Sequence, residues 1–254
     1  MRAFAVMAAD VESGALLLTL RGPLTMPAVA ASWIALQRCL THYPRAVVVD
    51  LSDVVIVGTV PAALLPAVLR RGARLPGVSV LVHGAAPTFA GRLARGRHGP
   101  RVLAARAQAV AAVGTLPEVP GVQRTHARLA PVPQAPGRAR ELVDGACRTW
   151  DLEHVVEDAK LIVSELVSNA VEHAGTDIDV TVRCHRGLLR LGVADRSVTT
   201  PVPATRDEGG RAGGGPVALR GRGLPMVASQ SREWGVIPGP SGKIVWAALP
   251  TARG

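Results

Sequence analysis

Aromatic side chains are scarce in this sequence: two Phe, one Tyr and four Trp among 254 residues, 3% of the chain. Its cores must therefore be filled by small aliphatics, and the interleaving of aromatic and basic residues that marks many nucleic-acid surfaces is missing. Lysine is nearly absent as well, with Lys160 and Lys243 alone, so arginine carries almost all of the positive charge. Cysteine is limited to Cys39, Cys147 and Cys184, which are far apart, odd in number and in no CxxC arrangement. That excludes a disulfide framework and a zinc knuckle, and a reducing cytoplasm is expected. No stretch approaches the length of a membrane span, and Asp10 and Glu12 interrupt the N-terminus before an apolar signal core can form, so a soluble, unexported protein is expected.

Acid is missing over one long interval. Between Asp53 and Glu118 there is none, while Arg70, Arg71, Arg74, Arg92, Arg95, Arg97, Arg101 and Arg106 accumulate. The formal net charge of +10 is thus concentrated in the first half. With no helix-turn-helix pattern beside it, this charge reads as a solvated face or a surface for an acidic protein partner rather than for DNA or RNA.

What is present is enough apolar material for two small cores: 48% hydrophobic residues against 19% charged. Residues 15–20 (ALLLTL), 46–51 (AVVVDL) and 78–83 (VSVLVH) read as buried strands, and extended chain continues over 54–57. Apolar residues at helical spacing predict helices over 27–42 and 61–71, the second kinked by its internal Pro66. Strand, helix, strand, helix, strand with short links is an α/β layer. A Pro-rich stretch follows, with Pro117, Pro120, Pro131, Pro133 and Pro136, and the domain boundary is placed there, with linker and irregular edge strand both open. The expected division is 1–115, a linker at 116–130, and 131–254.

In the second domain a helix is expected over 138–149, then Asp151 as N-cap of a long helix over 152–173. Val155, Ala159, Ile162, Leu166, Ala170 and Val171 form its apolar stripe, and Asp158, Glu165, Asn169 and Glu172 fall on another side. Residues 178–184 and 188–194 alternate as a hairpin around the turn at His185 to Gly187, and Asp195 closes the second strand. A glycine-rich run, Asp207 to Pro216, precedes the GRGL segment at Gly221 to Leu224, a short helix to Gln230, and a final strand over 244–249.

Glu165 and Asn169 stand four apart on one helix, so a carboxylate and an amide project from the same face and can act on one bound group. Alone, such a pair is most simply an ordinary polar helix face. Its company is more specific: ELVSNAVEH at Glu165 to His173, Asp195 after a strand, and GRGL before a helix, in that order, resemble the GHKL (Bergerat) ATPase fold, a two-layer α/β sandwich. Within it the sequence is most similar to the anti-sigma-factor serine kinases, including the ending GKIVWAALP at Gly242 to Pro250.

That resemblance implies ATP and Mg²⁺ as ligands. Asn169 would hold the metal, Glu165 would act as general base toward an attacking hydroxyl, and Asp195 would accept from the adenine amino group. His173, Gly221, Arg222, Gly223 and Leu224 would complete the nucleotide site, with the run from Gly209 to Gly215 as a lid. The sequence departs from the family in following Asp195 with Arg196, Ser197 and Val198 where glycines are usual.

The first half, through VVVDLSDVVIVGTV at Val47 to Val60, resembles the STAS fold of anti-anti-sigma factors, an α/β domain. In that family an Asp-Ser pair precedes a helix and the serine is phosphorylated; here Gly58 and Thr59 stand in its place, making Thr59 a degenerate phosphoacceptor. Together the resemblances imply a fused partner-switching regulator of transcription, a serine/threonine protein kinase acting on a sigma factor or a STAS-type protein. The alternative is a non-catalytic, nucleotide-dependent interaction protein; whether the chain forms a homodimer stays open.

Overall fold

The computed structural model describes residues 4–10, 15–41, 44–74, 78–94, 99–116, 121–199 and 223–252. The chain divides into two compact units, Met1–Gly121 and Val122–Gly254.

The first unit is built on five strands in the order β1-β2-β3-β4-β5: β1 (Ala5–Asp10), β2 (Ala15–Leu24), β3 (Ala46–Ile56), β4 (Ser79–His83) and β5 (Arg101–Val102). Strand β1 runs antiparallel to β2, and the others are parallel, as strands joined by helical crossovers must be. The crossovers are α1 (Met26–Thr41), α2 (Thr59–Ala73) and α3 (Pro87–Leu93), with α4 (Arg106–Gly114) last. Thr25 caps α1, its Oγ1 accepting from the Ala28 N–H at 3.3 Å. Leu17, Val48 and Leu81 lie side by side and bury against Ala109, Ala112 and Val113 of α4. Helices α1 and α2 pack against each other and on the sheet. Continuous apolar runs such as Ala46–Val49 are what a sheet buried on both faces demands.

The helix expected around Pro66 is α2, which runs from Thr59 to Ala73 with Leu65, Pro66 and Leu69 all buried. Burial of these side chains offsets the one missing N–H. Strand β1, helices α3 and α4 and the two-residue β5 were not foreseen, because each is too short for its periodicity to stand out.

The second unit is a two-layer α/β sandwich. Its antiparallel sheet has the order β6-β7-β8-β10-β9: β6 (Gln123–Leu129), β7 (Ile178–His185), β8 (Leu188–Asp195), β9 (Glu233–Gly239) and β10 (Gly242–Pro250). Against one face lie α5 (Ala135–Thr149), α6 (Val156–His173) and α7 (Gly223–Gln230), closing a core of Ile162, Val163, Leu166 and Val167 on Val180, Leu191, Val193 and Val245. The turn between β7 and β8 is Arg186 and Gly187, both at positive φ (48° and 75°), the geometry that matches strand twist in a tight hairpin.

Two expectations are revised here. Of the two readings open for the Pro-rich stretch, the edge strand holds within 116–130: residues Gln123–Leu129 form β6, paired to β7, between Pro120 and Pro131, and an edge strand needs hydrogen bonds on one side only. Asp151 is not the N-cap of the long helix. It sits at φ 57° just past α5, and the Leu152 N–H donates to the Cys147 carbonyl at 2.8 Å, so the residue serves the left-handed end of α5. A 3₁₀ turn, Glu153–Val155, then leads into α6. Burial of Leu152 fixes this path.

Candidate functional site

Helix α6 is the scaffold. Its apolar stripe buries Ala159, Ile162, Val163, Leu166, Val167 and Ala170, which leaves Glu165 and Asn169 half-buried along the border of the core rather than out in water. Helix α7 packs on α6, and α6 also touches β8 and β10.

The meeting of α6 and α7 brings three of the sequence-predicted residues together. A Cβ placed on Gly223, the first residue of α7, would stand 2.6 Å from Glu165 Oε2 and 3.5 Å from Asn169 Nδ2. Only a residue without a side chain lets the start of a helix, with its outward N–H groups, come this close to a carboxylate and an amide. Asn169 Nδ2 is buried and has no hydrogen-bond partner among the described residues. Either orientation of the amide leaves a polar atom to be matched by an incoming group: Oδ1 by a cation, Nδ2 by an anionic oxygen. Among the described residues no cluster of three or more His, Cys, Asp or Glu side chains could hold a metal ion. A Mg²⁺ at Asn169 would therefore take its remaining ligands from phosphate and water, as this ion commonly does. At this end the residues fit a metal-bound phosphate.

Asp195 is elsewhere engaged. It ends β8 at 2% exposure, and its Oδ1 accepts from the Ser197 N–H at 2.8 Å and from Lys243 Nζ at 2.8 Å. Lys243 is itself 5% exposed and donates further to the Ser197 carbonyl at 3.2 Å. Sequence reasoning missed Lys243. The available signal was its place two residues into the last strand of a chain with hardly any lysine, since antiparallel pairing sets it opposite Asp195.

Among the remaining expected residues, His173 is exposed at the last position of α6, and Leu224 is buried in the core beside Val227. Gly221, Arg222 and the lid at Gly209 to Gly215 lie outside the described residues.

Residues 129–249 match the family model described as "Histidine kinase-like ATPase domain". The match falls within the second unit, which is similar to histidine kinase-like ATPase domains. Two solved structures resemble parts of the chain in fold. The RsbU and RsbW domains of a Mycobacterium tuberculosis protein share 20% identity over 52% of this chain, TM-score 0.39, and the match spans 33% of their length. An anti-sigma factor antagonist from Mycobacterium paratuberculosis shares 22% identity over 43% of this chain and 92% of its own, TM-score 0.34. No curated protein matches the chain. The whole is an α/β protein of two units, and the family match falls on the second. Among the described residues no helix is long and apolar enough to cross a membrane.

In the first unit, Thr59 is exposed at the first position of α2, behind Gly58, whose backbone is extended (φ 167°) and which offers no side-chain cap. It lines a cavity of about 370 Å³ together with Ile56, Ala62, Phe89 and Arg92.

Proposed function

We propose that the chain is an ATP- and Mg²⁺-binding protein kinase of the anti-sigma-factor type, fused to a STAS-like domain and acting in partner-switching control of transcription. The observation that carries this reading is the buried, unmatched amide of Asn169 beside Glu165, against the glycine that opens α7. An unsatisfied buried polar atom costs stability, so it is retained where a ligand completes it. Asn169 would hold the metal ion that neutralises phosphate charge. Gly223 and the first amides of α7 would lie along the phosphates, as helix N-termini do for anions. Glu165 would take the proton from a serine or threonine hydroxyl positioned next to them. The bound nucleotide supplies the transferable phosphoryl group; the protein's part is positioning and charge.

The acceptor in this reading lies on another chain, a STAS-type protein or a sigma factor. Thr59 is a poor target because Gly58 provides no acid and Pro61 removes one amide from the helix start that would hold a phosphate. Incubation of the protein with isotopically labelled ATP, Mg²⁺ and candidate STAS proteins tests it. Phosphate on a partner serine or threonine is expected, and stoichiometric phosphate on Thr59, or none anywhere, counts against transfer as described. A non-catalytic, nucleotide-dependent interaction protein is the second reading, favoured by the prior engagement of Asp195. It is distinguished by nucleotide-dependent partner binding without transfer.

A further inference from the structure

A surface helix ordinarily turns a charged or polar face to water, and the second unit follows that rule, with the ion pairs Asp144–Arg148 on α5 and Glu157–Lys160 on α6. The first unit departs from it. Along α1 the exposed side chains are Met26, Pro27, Ala30 and Ile34 until Arg38; along α2, past Thr59, they are Val60, Ala63, Leu64 and Ala67 until Arg71. Met26, Ile34, Val60 and Leu64 are each between 37% and 59% exposed. The two helices run parallel, because each returns the chain between parallel strands. They meet near their C-terminal ends, where Gly72 leaves room for Leu36 and the Arg71 guanidinium lies 5.3 Å over Trp33. Their solvent faces are therefore neighbours, and the two apolar stretches form one patch that ends at Arg71 and the exposed Arg74. A contiguous apolar patch of this kind marks an interaction surface.

Charge on this face is one-sided as well. Between Glu12 and Glu118 the only acidic residues are Asp50 and Asp53, both on β3, so α1, α2, α3 and α4 carry none. Asp53 stands 3.3 Å from Arg21, and Asp50 stands 3.7 Å from His83. Arginine near a helix C-terminus is favoured by the helix dipole, but the dipole does not account for four helices without a single acid. A second copy of the same face would bring no acid to Arg71 and Arg74. Lipid is a poorer fit than protein: large and small side chains alternate, as on helix-packing surfaces, and no exposed aromatic ring stands on the patch to anchor it in a membrane.

We propose that the α1–α2 face is a docking surface for an amphipathic helix of another protein, one whose apolar stripe is bordered by Asp and Glu. The stripe buries against Met26, Ile34, Val60 and Leu64, and the acids meet Arg74 and Arg71, the latter held in place by Trp33. This surface belongs to the first unit and is independent of the nucleotide-binding reading.

The probe is a synthetic helical peptide of about 14 residues, enough to span the patch at about 1.5 Å per residue, with leucines at helical spacing and glutamates on either side of them. Its control carries lysine for every glutamate. Fluorescence anisotropy against the full chain should show the glutamate peptide binding about tenfold or more tightly than the lysine peptide. Ile34→Glu with Leu64→Glu should weaken that binding by about tenfold or more; glutamate is a good helix former at exposed positions. Should this variant not fold, Ile34→Gln with Leu64→Gln is the uncharged counterpart, with a loss in the same direction. Arg71→Glu with Arg74→Glu should turn the preference towards the lysine peptide. Equal binding of the two peptides, or glutamate-peptide binding indifferent to the changes at Ile34 and Leu64, overturns the proposal. Self-association in sedimentation equilibrium that Ile34→Glu with Leu64→Glu abolishes assigns the face to a second copy instead. Flotation with phosphatidylglycerol vesicles that the same variant abolishes assigns it to a membrane, and either result overturns the proposal.

Discussion

Gly223 lies so close to Glu165 that a methyl group on it would stand 2.6 Å from the carboxylate oxygen Oε2. The contact is between the start of one helix and the middle of another, and it makes the site sensitive to a single methyl. Gly223→Ala should leave the unliganded domain as stable or more so, since alanine is favoured over glycine in a helix by about 0.5–1 kcal/mol and the Glu165 side chain can swing away. Its stabilisation by Mg-ATP should fall, with affinity lower by about tenfold or more, because the added methyl group crowds Asn169 and the helix start where the metal and phosphates would lie. Thermal unfolding with and without Mg-ATP reads both effects.

Asn169→Ala should act with opposite signs on the two states. Removing a buried amide whose nitrogen has no partner among the described residues relieves a penalty of about 1–3 kcal/mol in the unliganded protein, less the packing lost. The melting temperature without ligand is therefore expected to hold or rise, while Mg-ATP no longer raises it. Equal Mg-ATP stabilisation of native and variant protein would defeat the site assignment.

Glu165→Ala is expected to separate binding from transfer. Mg-ATP affinity should be retained, while phosphate transfer to a STAS partner falls by about 10²–10⁴-fold, the range for a lost general base. Single-turnover transfer beside a binding isotherm makes the comparison.

His83 ends β4 at 5% exposure, with Asp50 Oδ1 3.7 Å from its Nδ1. Burial, more than the opposing pull of Asp50, lowers its pKa below the ordinary 6.5. Below that pH the unfolded chain takes a proton that the folded domain resists. Stability present above pH 6.5 is thus lost as pH falls through the folded value. Chemical denaturation across this range should show a slope of up to about 1.4 kcal/mol per pH unit from this group. His83→Gln should remove that part of the slope.

Burial pushes the Cys39 thiol up to about 12 and the Cys147 thiol up to about 11. With so little thiolate at pH 8, Cys39 should alkylate about a thousandfold and Cys147 about a hundredfold more slowly in the native protein than after denaturation. Mass spectrometry after timed exposure to iodoacetamide, with and without denaturant, measures this.

The local part of the candidate site was legible. Glu165 and Asn169 share a helix, and 3.6 residues per turn aligns side chains four apart; Asp195 closes a strand marked by strict alternation. The strands built on Ala15–Leu20, Ala46–Leu51 and Ile244–Leu249 were visible for the same reason. Strand β6 was hidden because edge strands tolerate polar and basic residues, and QRTHARL has no clear alternation. Asp151 was misassigned because an aspartate before an apolar-periodic run satisfies the rule for a helix start. The neighbouring helix end competed for the same residue and won by burying Leu152.

The sequence by itself determined the two α/β domains, the helix that carries Glu165 and Asn169, and the order of motifs that marks an ATPase domain, since each depends on neighbours within one element or on chain order. Only the tertiary structure decided that Gly223 meets Glu165, that Asn169 Nδ2 is buried without a partner among the described residues, and that Lys243 already holds Asp195. Lys243 and Asp195 are 48 positions apart in the chain. What joins them is the register of two antiparallel strands, and the burial that makes their pairing obligatory exists only once the sheet and its helices have closed over them.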